Sequence, residues 1–111
     1  MARYEVLYVL APNLEEEAYA AYAERFSGII RENGGQVEKV DTWGKRRLAY
    51  EIKKFREGYY TVVYFNAPAE CVKELDRVLK ITEPVLRHLI VRHEEKKKSA
   101  NAERKVAAEN A

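Results

Sequence analysis

The sequence predicts an α+β protein in which four strands form one antiparallel sheet and two helices cover one of its faces. Three observations lead to this class. Apolar residues alternate in several segments, as they do in strands. Two other segments repeat apolar residues every three or four positions, as helices do. Glycine or proline separates most of these segments, and the resulting order is β-α-β-β-α-β, with two right-handed crossovers joined by a hairpin.

The first strand is predicted over residues 3–11, because every even position from 4 to 10 is apolar. That face should point into the core. The first helix should follow directly, with Asn13 as its N-cap and Glu16 completing a capping box. The pair Gly34-Gly35 should end this helix, since glycine readily adopts the left-handed conformation found there.

The second strand is predicted over residues 36–52. Its apolar period breaks near Lys39, which indicates a bulge, and Gly44 indicates a second irregularity. A polar loop at 53–57 should lead to the third strand at 59–65. That strand is dense in β-branched and aromatic residues and has two apolar faces, so it should lie inside the sheet.

Pro68 should open the second helix and Pro84 should end it, before a fourth strand at 85–93. This order of elements is the ferredoxin-like arrangement, with the strands ordered fourth, first, third, second across the sheet. The second strand then lies at an edge, and the face without helices is uncovered. We predict one domain over residues 1–94, followed by a charged flexible tail at 95–111, where apolar periodicity is lost.

The composition narrows the possible functions. A hydrophobic fraction of 47% and a charged fraction of 34% are typical of a globular protein. We expect no membrane segment, because no run of about 18 apolar residues occurs. A single cysteine, Cys71, excludes an internal disulfide and favours an intracellular location. His88 and His93 should point to opposite faces of one strand, and no nucleophile, acid–base pair or phosphate loop is recognisable. We therefore expect no enzymatic activity, cofactor, metal or small-molecule substrate.

The candidate binding surface is the stretch from Trp43 to Tyr60. Six basic side chains and one acidic side chain lie between Lys45 and Arg56, a net charge of +5 in a chain whose total is +2. A strand with cations on one face indicates a surface that binds a polyanion. Lysine and arginine also keep edge strands soluble, so this stretch alone supports either interpretation.

Aromatic residues accompany the cations. Trp43, Tyr50 and Phe55 alternate with the basic groups, as in surfaces that contact RNA phosphates and stack on exposed bases. Tyr60 and Tyr64 should share the uncovered face of the third strand. They could stack on bases or form a docking face for a protein, and we favour docking because the match to the known RNA-stacking signature is weak.

Five short motifs resemble a known family. They are Arg-Tyr-Glu at 3–5, Pro-Asn-Leu at 12–14, Gly-Lys-Arg-Arg-Leu-Ala-Tyr-Glu-Ile at 44–52, Gly-Tyr-Tyr at 58–60 and Leu-Arg-His-Leu-Ile-Val-Arg at 86–92. Together they resemble bacterial ribosomal protein S6, a protein of the small ribosomal subunit. The resemblance covers roughly residues 3–93, and the motif at 44–52 is its most specific part.

The resemblance implies a structural component of the cytoplasmic ribosome that binds the central domain of small-subunit rRNA as a heterodimer with ribosomal protein S18. By motif position, RNA contact falls on Lys45, Arg46 and Arg47. On electrostatic grounds we add Arg3, Lys53, Lys54, Arg56, Arg87 and Arg92. The candidates for the protein partner are Trp43, Tyr50, Tyr60 and Tyr64.

Two other functions fit the residues. The first is a free-standing ferredoxin-like module that binds single-stranded RNA by stacking bases on the aromatic residues of its sheet. The second is a self-associating small-molecule sensor of the same fold, in which edge strands pair between subunits.

Overall fold

A computed structural model describes residues 2–93. The elements are β1 (Ala2–Leu10), α1 (Glu16–Glu32), β2 (Gln36–Ile52), β3 (Phe55–Ala67), α2 (Ala69–Ile81) and β4 (Val85–His93). The strands form one antiparallel sheet in the order β2-β3-β1-β4. The predicted fold class and strand order are therefore confirmed. The predicted tail at 95–111 lies outside the described residues.

The core lies between the sheet and the two helices. Val6, Tyr8 and Leu10, the even positions of β1, are buried there, as their alternation predicts. Phe26 of α1 packs edge-on against Tyr8, with the ring centroids 4.9 Å apart. Burying each such side chain contributes roughly 1.5–3 kcal/mol. Burial also raises the pKa of Tyr8 to about 12.

Helix α1 begins later than its sequence indicates. Its N-cap is Glu15 and no side chain caps it, so the prediction of Asn13 as the cap is wrong. The Tyr19 hydroxyl instead donates to the carbonyl of Ala11 at 2.7 Å and accepts from the N–H of Leu14 at 3.3 Å. This buried tyrosine fixes the loop between β1 and α1, a task that the capping pattern does not predict.

The hairpin between β2 and β3 is tighter than predicted. Strand β3 begins at Phe55, and only Lys53 and Lys54 form the turn. The predicted loop at 53–57 is therefore too long. Both lysines have positive φ angles, 49° and 72°. Two-residue hairpin turns with this backbone usually contain Asn-Gly, because L side chains are strained there.

Strand β2 contains the two predicted irregularities, with register shifts between Val37 and Lys39 and between Thr42 and Gly44. Strand β1 pairs with β3 only as far as Leu10, which lies opposite Tyr59. Beyond that point β2 and β3 pair with each other alone. Residues 45–58 therefore project from the sheet as a two-stranded ribbon, which we name the basic hairpin.

Candidate nucleic-acid interface

The basic hairpin presents six exposed cations: Lys45, Arg46, Arg47, Lys53, Lys54 and Arg56. Arg56 lies 3.7 Å from the carboxylate of Glu51, in an exposed pair that contributes little stability. Within residues 2–93, no ion pair involves the other five cations of the hairpin. Four of these, Lys45, Arg47, Lys53 and Lys54, are therefore available for an external anion, whereas the Arg46 guanidinium contacts Trp43.

The remaining predicted RNA contacts lie elsewhere. Arg87 lies opposite Val9, toward the end of the sheet that carries the basic hairpin. Arg3 lies at the far end of β1, about 24 Å from Leu10 along the strand, and pairs with Glu38 at 3.4 Å. Arg92 lies opposite Tyr4 at that same far end. The structure thus brings the six hairpin cations together but places Arg3 and Arg92 apart from them.

The second surface is the face of the sheet opposite the helices, which we name the open face. Leu7 and Val9 of β1 belong to it and are only 6% and 1% exposed, although neither helix lies over them. Their neighbours across the sheet include Tyr60, opposite Val9. Large side chains of the adjacent strands therefore cover Leu7 and Val9, the apolar residues of β1 on this face.

Trp43 and Tyr60 stack on the open face. Their ring centroids are 6.2 Å apart and their planes differ by 10°. The Arg46 guanidinium lies 5.9 Å from the Trp43 ring centre, and its Nε donates to the Trp43 carbonyl at 3.4 Å. The indole N–H of Trp43 donates to Asp41 at 3.2 Å. These contacts fix the orientation of Trp43 and join the open face to the basic hairpin.

The other two predicted partner residues are separated from each other. Tyr64 lies on the open face opposite Glu5, with Nζ of Lys39 6.0 Å from its ring centre. Tyr50 lies in the outer half of the basic hairpin and is 61% exposed. Trp43, Tyr60 and Tyr64 therefore share one face, whereas Tyr50 belongs to the hairpin.

Sequence reasoning missed one buried polar pair on the open face. Nε2 of His93 lies 2.9 Å from the carboxylate of Glu5, and both side chains are about nine-tenths buried. The pair joins the two ends of the described chain, and 88 positions separate its members. The only feature of the sequence that pointed to this pair was Glu5, an acidic residue within an apolar strand.

His88 points to the face of the sheet that carries the helices, opposite to His93, as predicted. Nε2 of His88 lies 2.7 Å from Asp76 of α2. This hydrogen bond, followed by the one from Lys80, lowers the pKa of Asp76. The pair ties α2 to β4 and adds no chemistry to the open face.

Within residues 2–93, no cluster of three His, Cys, Asp or Glu side chains has metal-binding geometry. The same part of the chain contains no helix that is long and apolar enough to cross a membrane. Cys71 is fully buried against α1, with its sulfur 3.6 Å from the carbonyl of Ile30. The structure is therefore that of a ferredoxin-like domain with cations on a ribbon beside an ordered aromatic face.

Comparison with known proteins identifies the family. The family model described as ribosomal protein S6 matches residues 3–92. Small ribosomal subunit protein bS6 of Clostridium kluyveri is 55% identical over 85% of this chain and 99% of its own length. The bS6 protein of Carboxydothermus hydrogenoformans is 52% identical over 85% of this chain and 98% of its own. The chain belongs to the ribosomal protein S6 family.

A solved structure agrees with this assignment. The crystal structure of 30S ribosomal protein S6 from Thermotoga maritima aligns with a TM-score of 0.80 and 36% identity, over 96% of this chain and 97% of that one. Membership confirms the resemblance drawn from the motifs. It also confirms the prediction that the chain is a structural protein of the small ribosomal subunit in the cytoplasm, and not an enzyme.

Proposed function

We propose that the chain binds the central domain of small-subunit rRNA through the basic hairpin and pairs with ribosomal protein S18 through the open face. The observation that carries the proposal is the hairpin itself. It places six exposed cations beyond the body of the sheet, and five of them form no ion pair within residues 2–93.

The RNA-binding part of the proposal follows from charge. Each cation that contacts a phosphate releases condensed counterions, which makes binding favourable and sensitive to salt. Phosphate contacts fix the position of a protein on RNA but do not read its sequence. The basic hairpin would therefore hold a folded rRNA junction, and the RNA fold would supply discrimination. Arg87 lies at the same end of the sheet but on the open face, so it would reach RNA only beside the proposed docking surface, and Arg3 and Arg92 would contribute less.

The protein-binding part follows from the open face. Aromatic residues and arginine are the usual anchors of protein interfaces. Tyrosine and tryptophan bury a large area at a small entropic cost because each has only two side-chain torsions. Trp43 and Tyr60 are already stacked and held by Asp41 and Arg46, so docking would immobilise few further side chains. Arg46 contacts both surfaces, which would couple partner docking to RNA binding.

The free-standing RNA-binding module is the second candidate function. The observation in its favour is that aromatic rings lie on an uncovered sheet face beside cations, where single-stranded bases could stack. Against it, Trp43 and Tyr60 stack on each other and so offer fewer free ring faces. Membership in a ribosomal protein family argues against the small-molecule sensor as the main role.

Titration calorimetry of the chain against purified S18 tests the docking surface. Tyr60→Ala should weaken association by about 1–2 kcal/mol, as expected for an interface anchor. Ile81→Ala is the matched control, because Ile81 is 64% exposed on α2 and lies away from the open face. Equal affinities for both variants would contradict the proposed interface.

A further inference from the structure

A groove lies where the basic hairpin meets the two loops at the end of the sheet. Leu14 from the first loop, Phe55 from β3 and Leu86 from β4 line it, together with Pro84, and all four are partly buried. Its volume is about 320 Å³. The N–H of Ala11 donates to the carbonyl of Pro84 at 2.9 Å, which fixes the two loops relative to each other. The groove is thus an ordered apolar cleft beside the cations.

Three polar side chains complete the lining. They are Lys53 from the hairpin turn, Asn13 from the first loop and Glu83 from the loop before β4. All three are exposed, and none has a side-chain hydrogen bond or ion pair within the described residues. They offer an ammonium group, an amide that both donates and accepts, and a carboxylate that only accepts.

We propose that this groove receives the base of one unpaired nucleotide from the RNA that the basic hairpin binds. This inference rests on the function proposed above. The base would pack against the ring of Phe55 and the aliphatic groups of Leu14 and Leu86, as unstacked RNA bases do on aromatic side chains. The neighbouring phosphate would meet Lys53 and the adjacent Lys54 in the turn.

The polar groups indicate which base fits. Glu83 can accept a hydrogen bond from an exocyclic amino group, and Asn13 can pair with adenine, which both donates and accepts. Uracil has no amino group, and its one donor on that edge, N3–H, lies between two carbonyl oxygens that would repel the Glu83 carboxylate. The groove therefore selects adenine over uracil. Its position beside the hairpin cations favours a polyanion over an apolar peptide as its occupant.

Three RNA helices with the same base pairs test the proposal. One is fully paired, the second has one additional unpaired adenosine, and the third has one additional unpaired uridine. Affinities are measured with the full chain, alone and with equimolar S18. The helix with unpaired adenosine should bind about tenfold more tightly than the paired helix, as expected for one stacked base. Phe55→Leu should abolish this preference, because it keeps an apolar side chain but removes the ring.

Two further variants separate the groove from general effects. Ile81→Ala removes exposed apolar area from α2, outside the groove, the basic hairpin and the open face, so the preference for unpaired adenosine should persist. Glu83→Gln changes an exposed side chain that the fold does not require, and it should narrow the difference between adenosine and uridine.

The outcomes distinguish this inference from the proposed function. Equal binding of all three helices by the unaltered chain would overturn the inference and leave the proposed RNA binding intact. Loss of the preference in Ile81→Ala would also overturn it. No binding of any helix, with or without S18, would overturn both.

Discussion

Gly58 marks the point where the basic hairpin leaves the body of the sheet. It is buried, and a Cβ at this position would overlap Cγ1 of Val9 and touch Leu48. Val9 is only 1% exposed and cannot easily move aside. The close approach of backbone and side chain here therefore requires glycine.

Gly58→Ala should lower the free energy of unfolding by about 1–3 kcal/mol, as overpacking does in a filled core. Gly28→Ala is the matched control in α1, where a Cβ would have no neighbour within 4 Å. That change should instead raise stability by roughly 0.5–1 kcal/mol, because alanine favours helix. Urea unfolding measures both, and equal effects of the two changes would contradict the packing assigned to Gly58.

Individual residues also show the limits of sequence reasoning. The burial of Cys71 and the opposite directions of His88 and His93 follow from residue type and strand alternation, and both are found. The pairing of Glu5 with His93 depends on two strands that the sequence separates by almost the whole described chain. Local patterns carry no information about such a contact.

At the scale of elements, strand β2 was predictable in its bounds and in two of its three register shifts, because Gly44 and the broken apolar period are visible in the sequence. The third shift, between Arg47 and Ile52, was not predicted. The hairpin turn was not predictable, since Lys53-Lys54 carries none of the usual turn residues. Helix α1 began late because Tyr19 makes a tertiary hydrogen bond that overrides the capping pattern.

The turn allows stability and RNA binding to be separated. Replacing Lys53-Lys54 by Asn-Gly should raise the free energy of unfolding by about 1–2 kcal/mol, because it relieves two positive φ angles. It should also make the log–log salt slope of RNA binding shallower by roughly 1.4–1.8, the effect of two lost cations. Urea unfolding and filter binding at several salt concentrations measure the two effects.

The control for the turn is the double change to Gln-Gln. It removes the same charges but keeps the positive φ angles on residues with a Cβ. It should reproduce the shallower salt slope without the gain in stability. A stability gain equal to that of Asn-Gly would show that charge repulsion, not backbone strain, governs the turn.

At the scale of the whole molecule, topology determined what could be foreseen. The element order leads to the sheet order through the handedness of the crossovers, so the edge position of β2 was predictable. The grouping of cations was predictable only where one hairpin carries them. Arg3 lies in β1 and Arg92 lies in β4, and neither strand carries a cluster of predicted cations. The fold places both residues far from the hairpin. The groove combines three separate loops and has no sequence signature.

The central claim is that RNA and protein partner meet different surfaces of one small domain. Arg46 contacts Trp43 and so belongs to both, which makes Lys45 and Arg47 the cleaner probes of the RNA surface. The most direct test is the salt dependence of rRNA binding at saturating S18, for Lys45→Gln with Arg47→Gln and for Tyr60→Ala. The double substitution of Lys45 and Arg47 should weaken binding and make the log–log salt slope shallower by roughly 1.4–1.8, whereas Tyr60→Ala should leave that slope unchanged. An unchanged salt slope for the double substitution, or an altered salt slope for Tyr60→Ala at saturating S18, would contradict the division into two surfaces.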